Sequence, residues 1–465
     1  MRGVLLTAPA SGSGKTVVTI GLLEVLLRAN KSPVAFKCGP DYIDPMFHRQ
    51  VLGIASENLD SFFLKPDQVR ELAERKAGEE HFAVVEGVMG YFDGLGGTSA
   101  RTSAWEMAGI LGFPVILIVD AKGASLSLIA QIKGFLDYIP RENVPGGKIV
   151  GVILNRISAP LYAMVKPLIE QELAVRCLGY VPSCPWLSME SRHLGLVLPE
   201  EIEGLRGQIA RLADQMQESL DLQAIEELAD EYAVSLPDSE KNAAIPIISQ
   251  NVFRLGVARD AAFCFYYEEN LRLLQNLGAE LVEFSPLQDA HLPENLSGIL
   301  LGGGYPELYA RELSENASMR AEILTAARCG MPILAECGGY LYLLEELESA
   351  QKECYPMVGV FEGSGKKKER LSHFGYVQLS VEEKVSPLLL PGETMPGHEF
   401  HYWHCEMDEA QCVMRAKKPT GNRSWPAIRV AGQVFAGFPH LYYPAFPEFA
   451  RRFARRCMDF RQKGD

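Results

Sequence analysis

At 465 residues the chain is too long for one compact core, so two or three domains are expected. A hydrophobic content of 47% is ordinary for a globular protein, and a formal net charge of −14 excludes a general nucleic-acid-binding surface. Local clusters of Lys and Arg stay free to hold an anionic substrate.

The N-terminal stretch Met1–Ala10 superficially resembles a signal peptide, but its apolar core is short and runs straight into a glycine-rich loop. No apolar run reaches membrane-spanning length, the longest lying near residues 113–119. The ten cysteines form no C-x-x-C pair and read as free thiols of a reducing compartment. A cytoplasmic protein with no membrane and no nucleic-acid partner is expected, with a homodimer left open.

Taken in chain order, residues 4–7 read as a strand and 16–28 as a helix, followed by strands at 34–37, 82–86, 115–120 and 149–155. Such alternation predicts a mostly parallel sheet covered on both faces. Residues 200–232 form a polar helical stretch, and 236–250 has linker composition. A second α/β series then begins, with strands at 254–258, 281–284, 298–301, 332–335 and 433–436 and helices at 267–277 and 317–327. Residues 340–348 read as helix, Lys366-Lys367-Lys368 as a solvated loop tip, and the Arg-rich segment 451–456 as the polar face of a closing helix. The expected class is α/β, with two doubly wound, mostly parallel-sheet domains at 1–235 and 251–465.

Two segments carry chemistry. Ser11-Gly12-Ser13-Gly14-Lys15-Thr16 follows a strand and opens a helix, the context of a phosphate-binding loop. There glycines turn backbone N–H groups toward phosphate oxygens and the helix N-terminus adds positive potential. Lys15 would hold terminal phosphates and the Thr16 hydroxyl would ligate Mg²⁺. Pro9 stands where the usual pattern has its first glycine. Asp41, Asp44, Glu86 and Asp93 lie at or just beyond predicted strand ends, where open α/β sheets gather ligands. Lys37, at another strand end, would neutralise a transferring phosphate. A lone acid there more often caps a helix; four beside a phosphate loop point to function.

The second segment is Ala335-Glu336-Cys337-Gly338-Gly339, a strand–turn–helix with cysteine at its apex. A turn of this kind exposes sulfur, and the following helix is expected to lower the thiol pKa. Gly303, Gly304 and Gly338 are the candidate oxyanion donors. His440, just past a predicted strand, is the preferred base over His373, His398, His401 and His404. The bland alternatives are a structural thiol and surface histidines.

The thiol turn and distant histidine resemble class I glutamine amidotransferase domains. More narrowly, the chain resembles the cobyrinate a,c-diamide synthase family of cobalamin biosynthesis. The carrying motifs are Thr7-Ala8-Pro9 with the phosphate loop, Lys37-Cys38-Gly39-Pro40-Asp41-Tyr42-Ile43-Asp44-Pro45, and the run from Val85 to Gly94. Arg192-His193-Leu194-Gly195-Leu196, Leu301-Gly302-Gly303-Gly304-Tyr305-Pro306-Glu307 and Gly397-His398-Glu399-Phe400-His401-Tyr402 follow in consistent order. The N-terminal half also resembles dethiobiotin synthetase, a P-loop enzyme that activates a carboxylate with ATP.

The resemblance implies that Gly12, Ser13, Gly14, Lys15, Thr16 and Lys37 bind ATP and that Thr16, Asp41 and Glu86 hold Mg²⁺. It further implies that Asp41, Tyr42, Ile43, Asp44, Asp93 and His193 serve the acceptor, with Phe92 a further contact for a flat macrocycle. The implied activity is glutamine-dependent amidation of the a and c acetates of cobyrinate, with ammonia kept in an enclosed route. A sirohydrochlorin-type acceptor, such as its nickel complex, is the rival within the same chemistry. A non-catalytic nucleotide switch with a degenerate glutaminase module is the rival from another class. A metal-binding protein lacks ligand spacing. Many class I glutaminases carry H-x-E; here Tyr442 occupies the acid's place, so the group orienting His440 is open.

Overall fold

A computed structural model describes residues 1–187, 191–192, 195–196, 199, 202–234, 252–371, 373–381, 386, 388–406 and 411–464. The chain divides into two compact units, Met1–Glu240 and Lys241–Asp465. The linker expected over 236–250 and the candidate His193 lie outside the described residues.

The first unit is built on seven strands: β1 (Arg2–Thr7), β2 (Pro33–Cys38), β3 (Ser56–Leu59), β4 (Phe82–Glu86), β5 (Val115–Asp120), β6 (Ile149–Asn155) and β7 (Arg176–Val181). They lie in the order β3-β2-β4-β1-β5-β6-β7, every pair parallel. Parallel strands are covered by helices on both faces and therefore need continuous apolar runs rather than alternation. The first five residues of β5, Val-Ile-Leu-Ile-Val, are all buried. Residues 200–232 contain two helices, Leu205–Ser219 and Leu222–Glu231, and Asp221 caps the second by accepting from the Ala224 amide.

In the second unit a ten-stranded sheet begins with five parallel strands: Ala279–Phe284, Phe253–Ala258, Gly298–Leu301, Ile333–Glu336 and Val434–Gly437. It continues antiparallel through Ser424–Ala431, Cys412–Lys417, His373–Ser380, Thr394–His401 and His440–Leu441. This antiparallel extension folds the two-residue strand at His440 back beside Thr394–His401.

Two local expectations fail. The helix after the thiol turn ends at Tyr342, and Leu344–Glu348 is a strand. Leu344 and Leu347 are buried while Glu345 and Glu346 are exposed, and pairing with Phe361–Lys367 outweighs helix propensity. Lys366 and Lys367 end that partner strand, opposite His404 and Trp403, so they are not a loop tip. The closing helix is present as Pro447–Gly464.

Candidate active sites

At the carboxyl end of β1 the phosphate loop turns into helix Lys15–Arg28. Gly14 has φ +94°, and a Cβ there would lie 2.1 Å from Nδ2 of Asn155, so only glycine fits. Asn155, the last residue of β6, donates from that nitrogen to the Ser13 carbonyl at 2.9 Å. Arg156 is paired with Asp120 and reaches the Gly12 carbonyl at 3.3 Å. The loop is thus held from behind by neighbouring strand ends. Gly12 itself is exposed, and Ser13 is buried.

The Lys15 ammonium donates to the carbonyls of Ala10 (3.2 Å) and Met89. Beneath it a charged cluster is buried. The Thr16 hydroxyl donates to Glu86 Oε1 at 2.7 Å and lies 3.3 Å from Asp44 Oδ2. Lys37 donates to Asp44 and to Glu86 Oε1 (2.8 Å), with Asp41 3.9 Å away. Burial alone would depress Lys37, but Asp44, Glu86 and Asp41 outweigh it and keep the ammonium charged. Burial and then Lys37 push Lys15 down to about 8. Burial, and then Asp44, push Glu86 up to about 7. Burial would likewise raise Asp44, but the Lys37 charge dominates and holds it low.

Of the expected metal ligands, Thr16 and Glu86 meet, and Asp44 joins them. Asp41 stands at the rim of the cluster: its Oδ2 is 3.9 Å from the Lys37 ammonium, while its Oδ1 accepts the amides of Ile43 (2.9 Å) and Asp44 (3.2 Å), fixing the turn that starts helix Ile43–Met46. Tyr42 is half-buried and Ile43 buried on that turn. Asp93 Oδ2 accepts from the Gly90 amide at 3.0 Å and adds negative potential at Lys15. The donor set fits a hard divalent cation: oxygens of Thr16, Asp44 and Glu86 converge, and Oε2 of Glu86 is buried with no donor facing it among the described residues.

In the second unit Cys337 follows strand Ile333–Glu336 with φ +50° and ψ −101°, a strained conformation for a residue with a side chain. Its amide donates to the Gly437 carbonyl at 2.8 Å, tying the turn to the neighbouring strand. The Gly302–Gly304 turn packs against His440 and against the glycines that follow Cys337. A Cβ on Gly303 would lie 2.4 Å from Cε1 of His440, and one on Gly338 would lie 3.1 Å from the Gly304 nitrogen. Gly303, Gly304, Gly338 and His440 are therefore one constellation. The Gly338 amide bonds the Cys337 sulfur.

The electrostatics overturn one expectation. The Cys337 thiol is held well above its ordinary range, by burial first and then by Glu307 and Glu399. The five-residue helix and the Gly338 amide do not compensate. Burial pushes His440 down to about 3. Thiol and imidazole therefore rest as a neutral pair.

The competing histidines have other work. His398 is opposite His440 in register, against the rings of Phe374 and Tyr376. His401 is 3.1 Å and His373 3.3 Å from Glu399 Oε2, while the Trp425 indole donates to Oε1 at 3.1 Å. His401 and His404 stack on Phe438, two residues before His440. Beside them a cavity of about 520 Å³ is lined by Glu399, Trp425, Phe438, Lys368 and Arg423.

Asn155, Arg156 and Glu336 carry these sites but were missed in the sequence. All three end or just follow a strand, the rule that singled out Glu86.

A phosphate loop over a buried cation–carboxylate cluster, joined to a thiol elbow with a histidine, defines a glutamine-hydrolysing amide synthase. Residues 4–196 match the CobQ/CobB/MinD/ParA nucleotide binding domain, and 254–447 the CobB/CobQ-like glutamine amidotransferase domain. The chain is 39% identical to the cobyrinate a,c-diamide synthase of Listeria innocua serovar 6a, over 95% of this chain and 96% of that one. It is 37% identical to the same-named enzyme of Salmonella typhimurium, over 98% of both chains, and 35% to that of Caldanaerobacter subterraneus, over 99% and 100%. The chain belongs to the cobyrinate a,c-diamide synthase family. Among the described residues no helix is long and apolar enough to cross a membrane.

Proposed function

We propose that the chain amidates the a and c acetates of cobyrinate in the cytoplasm, using ATP·Mg²⁺ and L-glutamine. The observation that carries this reading is the buried set Lys37, Asp44 and Glu86, hydrogen-bonded with half-buried Thr16 beside the Lys15 loop. A carboxylate is a poor acceptor for ammonia because its leaving group would be oxide. Transfer of the γ-phosphoryl group to a carboxylate oxygen, with ADP leaving, gives an acyl phosphate. Ammonia then adds to the carbonyl carbon and phosphate departs. Lys15 and Lys37 stabilise charge on the transferring group by position rather than by covalent chemistry. Thr16, Asp44 and Glu86 would hold Mg²⁺, which supplies further neutralisation of phosphate oxygens when bound.

In the second unit the Cys337 sulfur attacks the side-chain carbonyl of glutamine. His440 takes the thiol proton and delivers it to the departing nitrogen, releasing ammonia and leaving a thioester that water cleaves to glutamate. Gly303, Gly304 and Gly338 amides supply the oxyanion donors. A neutral resting pair fits this sequence, since the thiolate need form only as glutamine arrives. Asp41 shapes the turn that presents Tyr42 and Ile43 to the acceptor, with Asp93 alongside.

The test is incubation with cobyrinic acid, glutamine and ATP·Mg²⁺. Two successive mass losses of about one unit, one per acid-to-amide conversion, are expected; conversion of a sirohydrochlorin but not of cobyrinic acid would reassign the acceptor. Cys337→Ser should lower glutamine-dependent amidation by at least about 10³-fold and leave the ammonia-dependent reaction intact. Equal loss of both would break the division of labour.

A further inference from the structure

The base His440 lacks the acid that many glutaminases place two residues later; Tyr442 stands there. A carboxyl group nevertheless approaches the same imidazole from a different strand, though not to hydrogen-bond distance. Glu336 ends strand Ile333–Glu336, one residue before the nucleophile, and its side chain turns inward. Its Oε2 lies 4.0 Å from Nδ1 of His440 and accepts the Leu441 amide at 3.3 Å. Its Oε1 accepts the Tyr443 hydroxyl at 2.9 Å. Asn270 clamps the same segment, donating to the Leu441 carbonyl (2.7 Å) and accepting from the Tyr443 amide (2.7 Å).

We propose that Glu336 is the positioning residue of the glutaminase base, fixing the His440 ring and tautomer from the nucleophile's own strand. The inference rests on Cys337 and His440 being nucleophile and base. With Nδ1 facing a carboxyl group, the tautomer carrying hydrogen on Nδ1 is favoured, which leaves the Nε2 lone pair for the thiol proton. When that proton moves from sulfur to Nε2, the ring becomes a cation and the Nδ1–H···Oε2 contact tightens. No proton need pass to Glu336. One consequence is a coupling of nucleophile and base through the backbone: a shift of the elbow carries the positioning carboxyl with it.

Burial pushes Glu336 up to about 8, opposed by the Tyr443 hydroxyl and the Leu441 amide. The groups facing it are therefore Tyr443, Leu441, His440 and the adjacent Cys337 thiol, whose pKa, raised first by burial, the Glu336 charge raises slightly further. Those acting on His440 from other elements are His401 and Glu399, and His398 is opposite it. The ionised form of Glu336 supports the imidazolium better than the protonated form. Glutaminase kcat should thus rise with pH through a limb near 8.

The experiment is the pH profile of glutaminase kcat and KM for wild type, Glu336→Gln and Tyr443→Phe, with thermal unfolding of each. Glu336→Gln keeps the size and an acceptor for Tyr443 but cannot ionise. It should lower kcat by about 100-fold, leave KM for glutamine within about twofold, and remove the limb near pH 8. Tyr443→Phe removes a donor to the carboxylate, so the limb should move to higher pH. A Glu336→Gln enzyme that folds, retains kcat within about threefold and keeps the wild-type limb overturns the proposal. Should that variant unfold, Tyr443→Phe decides: a shifted limb supports the role, and an unmoved one overturns it. Cys337→Ser in the same assay separates the premises, because surviving glutaminase there would refute the nucleophile assignment and not the placement of Glu336.

Discussion

The two units raise chemistry on the same scaffold and treat charge in opposite ways. Each places its reactive groups where parallel strands end: Thr16, Lys37 and Glu86 in the first, Cys337 in the second. The first keeps charges buried against one another, with Lys37 ionised between Asp44 and Glu86. The second holds Cys337 and His440 neutral by the same burial. Burial does not set protonation alone; the presence of an opposite charge within hydrogen-bond reach does. Phosphoryl transfer needs fixed charge before the reaction, whereas thiol attack needs charge only during it.

If that contrast is right, the units fail differently when altered. Lys15→Met should have the largest effect, lowering amidation by about 10³-fold with either glutamine or ammonia while glutaminase turnover stays near wild type. Measuring all three rates in one preparation tests it, and a parallel fall in glutaminase would show that the two chemistries are not separable. Lys37→Met should come next, as a stability effect of about 3–5 kcal/mol, because it strands Asp44 and Glu86 without their cation. A urea midpoint shift worth less than about 1 kcal/mol would mean the cluster simply takes up protons or water instead.

The same contrast governs how much could be read in advance. Both reactive segments were legible because they are local: glycine spacing, a strand before and a helix after. The parallel sheet of the first unit and the parallel part of the second were legible because buried parallel strands need unbroken apolar runs such as β5. What was not legible depends on pairing between distant segments. Leu344–Glu348 has the composition of a helix, and only its partners Cys354–Pro356 and Phe361–Lys367 make it a strand. Asp41 and Asp44 look alike as acids three residues apart; backbone amides claim one oxygen of the first, whereas Lys37 bonds the second directly. The raised thiol of Cys337 was missed for the same reason: it follows first from burial by distant segments, and then from Glu307 and Glu399 approaching from other elements.

The smallest predicted effect concerns His398, which carries the neutral-burial strategy of the second unit without a proposed catalytic role. Burial, and then His440, push it down to about 3. Its unfolded value is near 6.5, so unfolding takes up a proton anywhere between the two. The stability linked to neutral His398 is fully present above about pH 6.5 and is lost as pH falls toward 3. The slope is at most about 1.4 kcal/mol per pH unit for one proton. His398→Gln should therefore flatten the fall in urea midpoint between pH 6.5 and 4, whatever it does to stability at pH 7. His440 shares the same sign and window, so the variant retains part of the slope. Parallel wild-type and variant curves over that range would show that His398 gains its proton without unfolding, and neutrality would then cease to distinguish the second unit's site from the first.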